Sequence, residues 1–131
     1  MPRKASDVTD AELAVLQVLW EKGTTTVRDI VAILYPAGTP SDLATVQKLL
    51  KRLENKNCIS RNRSTWPHEF QPAIQRDDLI SRRLQTTANE LCEGSILPLL
   101  TQLVQLKSVS AEDRAALREI LDDLDKNPQK S

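Results

Sequence analysis

The stretch DLATVQKLLKRLENKNCISRNRSTWPHEFQ, residues 42–71, decides how this chain folds. Its first half has helical periodicity: Val46, Leu49, Leu50 and Leu53 fall at i, i+3, i+4 and i+7, so they share one face, and that face must look inward. Asp42 is the expected N-cap. At about 100° per residue, the opposite face is centred on Ala44, Lys48, Lys51 and Asn55 and flanked by Thr45, Gln47 and Arg52. The second half changes period. Residues 58–63 are expected to form a short strand, 63–65 a turn, and 66–71 a returning strand that Pro67 restricts to a sheet edge.

Upstream, two further helices are expected. Thr9 and Glu12 have capping-box spacing, in which the hydroxyl accepts from a free backbone amide while the carboxylate reaches back. Leu13, Leu16, Leu19 and Trp20 then recur at helical spacing, and Gly23 provides a left-handed stop. After a polar Thr24–Thr26 turn, Thr26 and Asp29 repeat the cap, Val27, Ile30, Val31 and Leu34 form the stripe, and Pro36 and Gly38 end it. Three short helices, the last polar on its outer face, followed by an Arg-rich hairpin, make the layout of a winged helix-turn-helix. The expected fold class is mainly α with a small β-hairpin wing.

Downstream of residue 72 the character shifts. Leu79, Ile80, Leu84, Ala88, Leu91 and Cys92 form a helical stripe that Gly94 breaks, and residues 96–106 follow, apolar nearly all round. Pro98 requires a helix start just before it, with Ser95 as cap, because proline is tolerated only in the first turn. Ser110 and Asp113 open a last helix bearing Leu117, Ile120, Leu121 and Leu124. Two amphipathic neighbours cannot cover so apolar a segment, so a partner surface is expected, most economically a second copy. The expected organisation is a winged-helix domain over 1–72 and a helical dimerisation region over 73–131. Its interface is assigned to Ile80, Leu84, Leu91, Ile96, Leu97, Leu99, Leu100, Leu103, Val104, Leu117, Ile120 and Leu121.

Charge placement gives the first functional indication. The 131 residues carry 18 Lys+Arg and 18 Asp+Glu, so net charge says nothing about partners. Between 44 and 66, however, Lys48, Lys51, Arg52, Lys56, Arg61 and Arg63 face only Glu54. Charges opposite an apolar stripe are by themselves merely a solvated face. Here they coincide with a helix sized for the DNA major groove and with the adjoining wing. Thr45, Gln47 and Lys48 are suited to base edges, while Lys51, Arg52, Arg61 and Arg63 suit backbone phosphates. Two copies would bind an inverted-repeat operator in double-stranded DNA. The alternative is a winged-helix module that holds a partner protein through the same face.

Several functions are excluded or unsupported. Apolar runs fall short of the roughly 20 residues a membrane span needs, and residues 1–8 lack the apolar region of a secretory signal. A cytoplasmic protein with reduced thiols is expected. Cys58 and Cys92 have no CxxC spacing and the chain has one histidine, so no metal site and no cofactor are expected. His68 and the adjacent Glu69 point to opposite sides of a strand and cannot act together. No catalytic motif is present, and an enzyme is not expected. Cys92 is expected in the core, Cys58 half-exposed, Trp20 in the core and Trp66 over the base of the wing.

The segment VTDAELAVLQVLW, 8–20, resembles the opening helix of the penicillinase repressor family, which includes the methicillin-resistance repressor and a copper-responsive branch. TVQKLLKRLENKNCI, 45–59, resembles its recognition helix and wing approach, and FQPAI, EGSI and SAEDRAALREIL fit the later pattern over about residues 6–124. The resemblance implies a dimeric winged-helix transcriptional repressor that occupies an operator until inactivated, with DNA contacts at Ala44, Thr45, Gln47, Lys48, Lys51, Arg52, Arg61 and Arg63. In the antibiotic-responsive branch a sensor protease cuts an Asn-Phe bond. Gln102 and Leu103 stand at the matching positions here. The cysteine-rich motif of the copper branch is missing after Cys92, and Thr65 and His68 replace the family's usual wing Gly and Tyr.

Overall fold

Thr9, Thr26, Thr39 and Ser110 each open a helix by satisfying an amide the helix leaves unpaired. The computed structural model describes residues 7–105 and 109–126; Leu106, the last apolar residue of the run from 96, and the tail 127–131 lie outside the described residues. Thr9 caps α1 (Asp10–Lys22) with a full capping box: Glu12 N–H donates to the Thr9 hydroxyl at 3.2 Å and Thr9 N–H to the Glu12 carboxylate at 2.9 Å. Gly23 closes it at φ 77°, a conformation L side chains rarely adopt, and its N–H reaches Leu19 O. Its ψ of −134° places it outside the left-handed helical region expected for the stop.

The Thr24–Thr26 segment is more than a turn. Thr25 and Thr26 form a two-residue strand, β1 (Thr25–Thr26), before Thr26 caps α2 (Val27–Leu34) through the Asp29 amide. The third helix, α3 (Pro40–Asn55), starts earlier than the Asp42 cap implied. Thr39 is the N-cap, Pro40 stands in the first turn, and Asp42 is the N3 partner of a capping box, donor and acceptor both at 3.1 Å. Proline suits that position because its missing N–H is one the helix does not bond.

The wing pairs β2 (Ile59–Asn62) with β3 (Glu69–Pro72), antiparallel, with Arg61 opposite Phe70 and Asn62 opposite Glu69. β1 adds to the other side of β3, giving the order β1-β3-β2. The returning strand is therefore central, not an edge. Pro67 does not conflict with this, because it lies in the connecting loop before the ladder begins at Glu69.

The chain divides into two compact units, one ending at Ile80 and the other starting at Ser81. In the first, α1, α2 and α3 pack on one another and on the sheet around Val15, Leu16, Leu19, Ile30, Val46, Leu50, Leu53 and Phe70. Leu79, from the first turn of α4 (Arg76–Leu91), belongs to this core. Cys58 is fully buried in it and Cys92 is only half-buried, the reverse of the sequence expectation. Cys58 packs inward because it sits at the α3-to-β2 junction, its N–H bonded to Leu53 O. Trp20 is half-buried; its indole N–H donates to Ile74 O at 2.9 Å and Arg76 lies over its ring.

The second unit contains most of α4, with α5 (Leu97–Gln105) and α6 (Ala111–Lys126). Pro98 falls in the first turn of α5, but the first helical bond ends on Ile96 O, so Ser95 is not the cap. Ser110 and Asp113 do form the expected reciprocal cap of α6. Neither α5 nor α6 has a buried residue.

Candidate nucleic-acid interface

The interface is built on the face of α3 that its core stripe leaves outward. With Val46, Leu49, Leu50 and Leu53 buried, helical geometry sends Ala44, Thr45, Gln47, Lys48, Lys51 and Arg52 to solvent, and all six are exposed. Among the described residues, Lys48, Lys51 and Arg52 make no ion pair or side-chain hydrogen bond. Their charges are uncompensated within the fold. Thr45 is partly committed: its hydroxyl donates to Ser41 O at 3.0 Å, leaving its lone pairs outward.

The wing behaves differently. Arg61 projects from β2 back toward α3, where its guanidinium donates to the Glu54 carboxylate at 2.6 Å and stacks over Phe70 at 4.7 Å from the ring centre. Arg63, mostly exposed, stands 3.7 Å from the other oxygen of Glu54. The single acid of the cationic stretch is thus placed between both wing arginines. Arg61 Nε is buried without a hydrogen-bond partner. Arg61 consequently acts as a brace between wing and helix, and Arg63 is the more accessible of the two for an outside anion.

Lys56, also counted in the cationic stretch, does not reach the interface. Its ammonium donates to the fully buried Glu12 carboxylate at 2.6 Å and to Asp7 O at 2.7 Å, tying the end of α3 to the start of α1. Burial opposes ionisation of Glu12 most strongly. The Lys56 hydrogen bond, the bonds from Thr9 and the Lys56 charge together outweigh it and hold the carboxyl below the usual range.

Between α3, the start of α2 and the wing lies a cleft of about 510 Å³. Its rim includes Arg28, Gln47, Lys51, Trp66 and His68, its floor is apolar, and no carboxylate lines it. Arg28 and Trp66 are contributors that sequence patterning missed. Trp66 is 87% exposed rather than covering the wing base, because the loop carrying it extends past the end of the ladder. It meets His68 edge to face, ring centres 5.2 Å apart. Chain proximity in the quoted stretch was the available signal for Trp66; Arg28 is brought near only by tertiary packing.

Among the described residues, no helix is long and apolar enough to cross a membrane, and no three His, Cys, Asp or Glu side chains gather as a metal site. Of the residues assigned to the apolar interface, Ile80, Leu84, Leu91, Ile96, Leu97, Leu103, Val104, Ile120 and Leu121 are exposed, and Leu99, Leu100 and Leu117 are half-buried.

Fold and site together define a winged-helix protein with a cationic outer face on its third helix. The chain belongs to the penicillinase repressor family, whose model matches residues 8–123. It is 26% identical to the penicillinase repressor of Staphylococcus aureus over 96% of this chain and 99% of that protein. It is 24% identical to the penicillinase repressor of Bacillus licheniformis over 92% of this chain and 94% of that one. The methicillin resistance regulatory protein MecI of Staphylococcus aureus is 22% identical over 92% of this chain and 98% of its own length. The family is one of repressors, not enzymes.

Proposed function

We propose that this chain is a homodimeric transcriptional repressor that binds an inverted-repeat operator through α3, with the wing against the flanking backbone. The observation that carries the proposal is the outer face of α3: three cations without internal partners beside Thr45 and Gln47, on a helix of the right diameter for the major groove. Gln47 and Thr45 read base edges, Lys48 works at either base or phosphate, and Lys51 and Arg52 neutralise phosphates. Ala44 leaves room for close approach. Arg63 supplies the wing contact and Arg61 mainly holds the wing in position. Membership of a repressor family and the names of the relatives support the same reading.

The exposed apolar residues of α4, α5 and α6 support the dimer, since a two-fold interface covers one such surface with its own copy. A sensor protease acting at the Gln102–Leu103 bond would have to open α5 first, because that bond lies inside the helix.

The test is the salt dependence of binding to duplex DNA. Log affinity should fall linearly with log salt at about −0.9 per phosphate contacted. Lys51→Ala should flatten that line and weaken all duplexes alike, whereas Gln47→Ala should relax preference at one or two base pairs. Equal losses from both variants on selected and random duplex would refute this division of roles. A nearly flat line would instead indicate a protein partner.

A further inference from the structure

We infer that the cleft between the start of α2, α3 and the wing receives a sugar–phosphate strand bordering the groove that α3 enters, with Trp66 packed on a deoxyribose and Arg28 on a phosphate. This deepens the duplex-binding reading and rests on it. Three observations converge. First, the cleft carries Arg28, Lys51 and Arg61 beside the apolar Leu43 and the Trp66 ring and no carboxylate, so it suits an anionic strand that also presents an apolar surface, as a sugar–phosphate backbone does. Second, Trp66 is 87% exposed, which leaves a large apolar ring in water on a protein whose other bulky side chains in this unit are mostly buried. Its ring is held edge-on to His68 and is thereby oriented before any ligand arrives. Third, the Arg28 side chain makes no ion pair or hydrogen bond among the described residues, and it stands one residue beyond the first position of α2.

The physical division of labour follows from chemistry. A guanidinium recognises phosphate oxygens and gains from counterion release, so it contributes to the salt slope. An indole ring on a deoxyribose gains from desolvation and van der Waals contact, which are nearly independent of salt. The two residues therefore leave different signatures in one titration.

The experiment uses the full chain with duplexes selected on it from a random-sequence pool, and with the unselected pool. Wild-type protein should show quenched tryptophan emission on adding either duplex, and Trp66→Phe should lose that quench because Trp20 is packed against Ile74 and Arg76. Trp66→Ala should weaken binding about tenfold with the log–log salt slope unchanged. Arg28→Ala should lower the slope by about 0.9. Both side chains are on the surface, so folding is retained, which circular dichroism verifies. An undiminished affinity of Trp66→Ala, or an emission change that persists in Trp66→Phe, overturns the inference while leaving the α3 reading standing. A folded wild-type chain that binds no duplex even at low salt overturns both.

Discussion

The units on either side of residue 80 have similarly hydrophobic helices but opposite fates for their apolar side chains. In α1 and α3 the stripe residues Val15, Leu16, Leu19, Val46, Leu50 and Leu53 have no exposed surface, whereas in α5 and α6 no residue is buried and Leu97 remains 69% exposed. Helical periodicity alone does not distinguish these cases. A stripe is satisfied only when an opposing surface exists, and three helices plus a sheet provide one where a pair of late helices does not. The first unit encloses its apolar stripes. The second leaves the stripes of α5 and α6 open, the surface that the proposed dimer would cover.

The sharpest way to break this comparison is matched truncation. Leu16→Ala should cost about 3–4 kcal/mol of unfolding free energy, because it empties a fully enclosed site. Leu97→Ala should cost the isolated chain well under 1 kcal/mol. Denaturant titration of both variants, at dilutions where association is lost, checks the contrast.

Next in size is the buried ion pair. Lys56→Ala leaves Glu12 enclosed without its cation and should cost about 3 kcal/mol. The pair also gives the first unit an acid limit. Because the folded-state carboxyl of Glu12 lies below its ordinary value of 4.5, its contribution is fully present above that value and disappears as the pH falls through the lowered folded-state value. Unfolding curves over the acid range should show this loss in the wild type and a shallower one in Glu12→Gln.

Association comes third. Leu103 is exposed in the single chain, so Leu103→Asp adds little strain there, yet it would put a charge into an apolar interface. Sedimentation should show a dimer turning to monomer while the first unit keeps its stability. An unchanged mass would remove the idea that the second unit is completed by its own copy.

The smallest expected effect sharpens a contrast within the first unit, between the unpaired cations of α3 and the braced ones of the wing. Glu54→Gln releases Arg61 and Arg63, so affinity for duplex DNA should rise about two- to fivefold and the salt slope should steepen, at about 0.5 kcal/mol in stability. A decrease in affinity would show that positioning of the wing by Arg61 outweighs the charge it gives up.

These contrasts also mark where local pattern stopped being informative. The capping box at Thr9, the α3 stripe and the hairpin are encoded within a few residues, because caps, periodicity and turns depend on neighbours in the chain. The outer face of α3 followed directly from its inner one. The third strand at Thr25 and Thr26 was not legible, since its pairing partner is Glu69 and Phe70, far along the chain. Nor was the correct count of free cations. Lys56 counts toward the cationic stretch in sequence and Arg61 toward the interface, but one is claimed by Glu12 and Asp7 and the other by Glu54 and Phe70.

The amino-acid order by itself determined the six helical segments and the wing hairpin, which face of α3 is apolar and where positive charge accumulates, because each of these is set by spacing between near neighbours in the chain. Only the tertiary structure decided which of those charges remain available, that Trp66 stands in solvent on the same cleft as Arg28, and that the apolar stripes of α5 and α6 are nowhere fully covered within the described residues. Those outcomes depend on which side chains meet across long stretches of chain, and a carboxylate or an opposing apolar face can cancel in space what it does not adjoin in sequence.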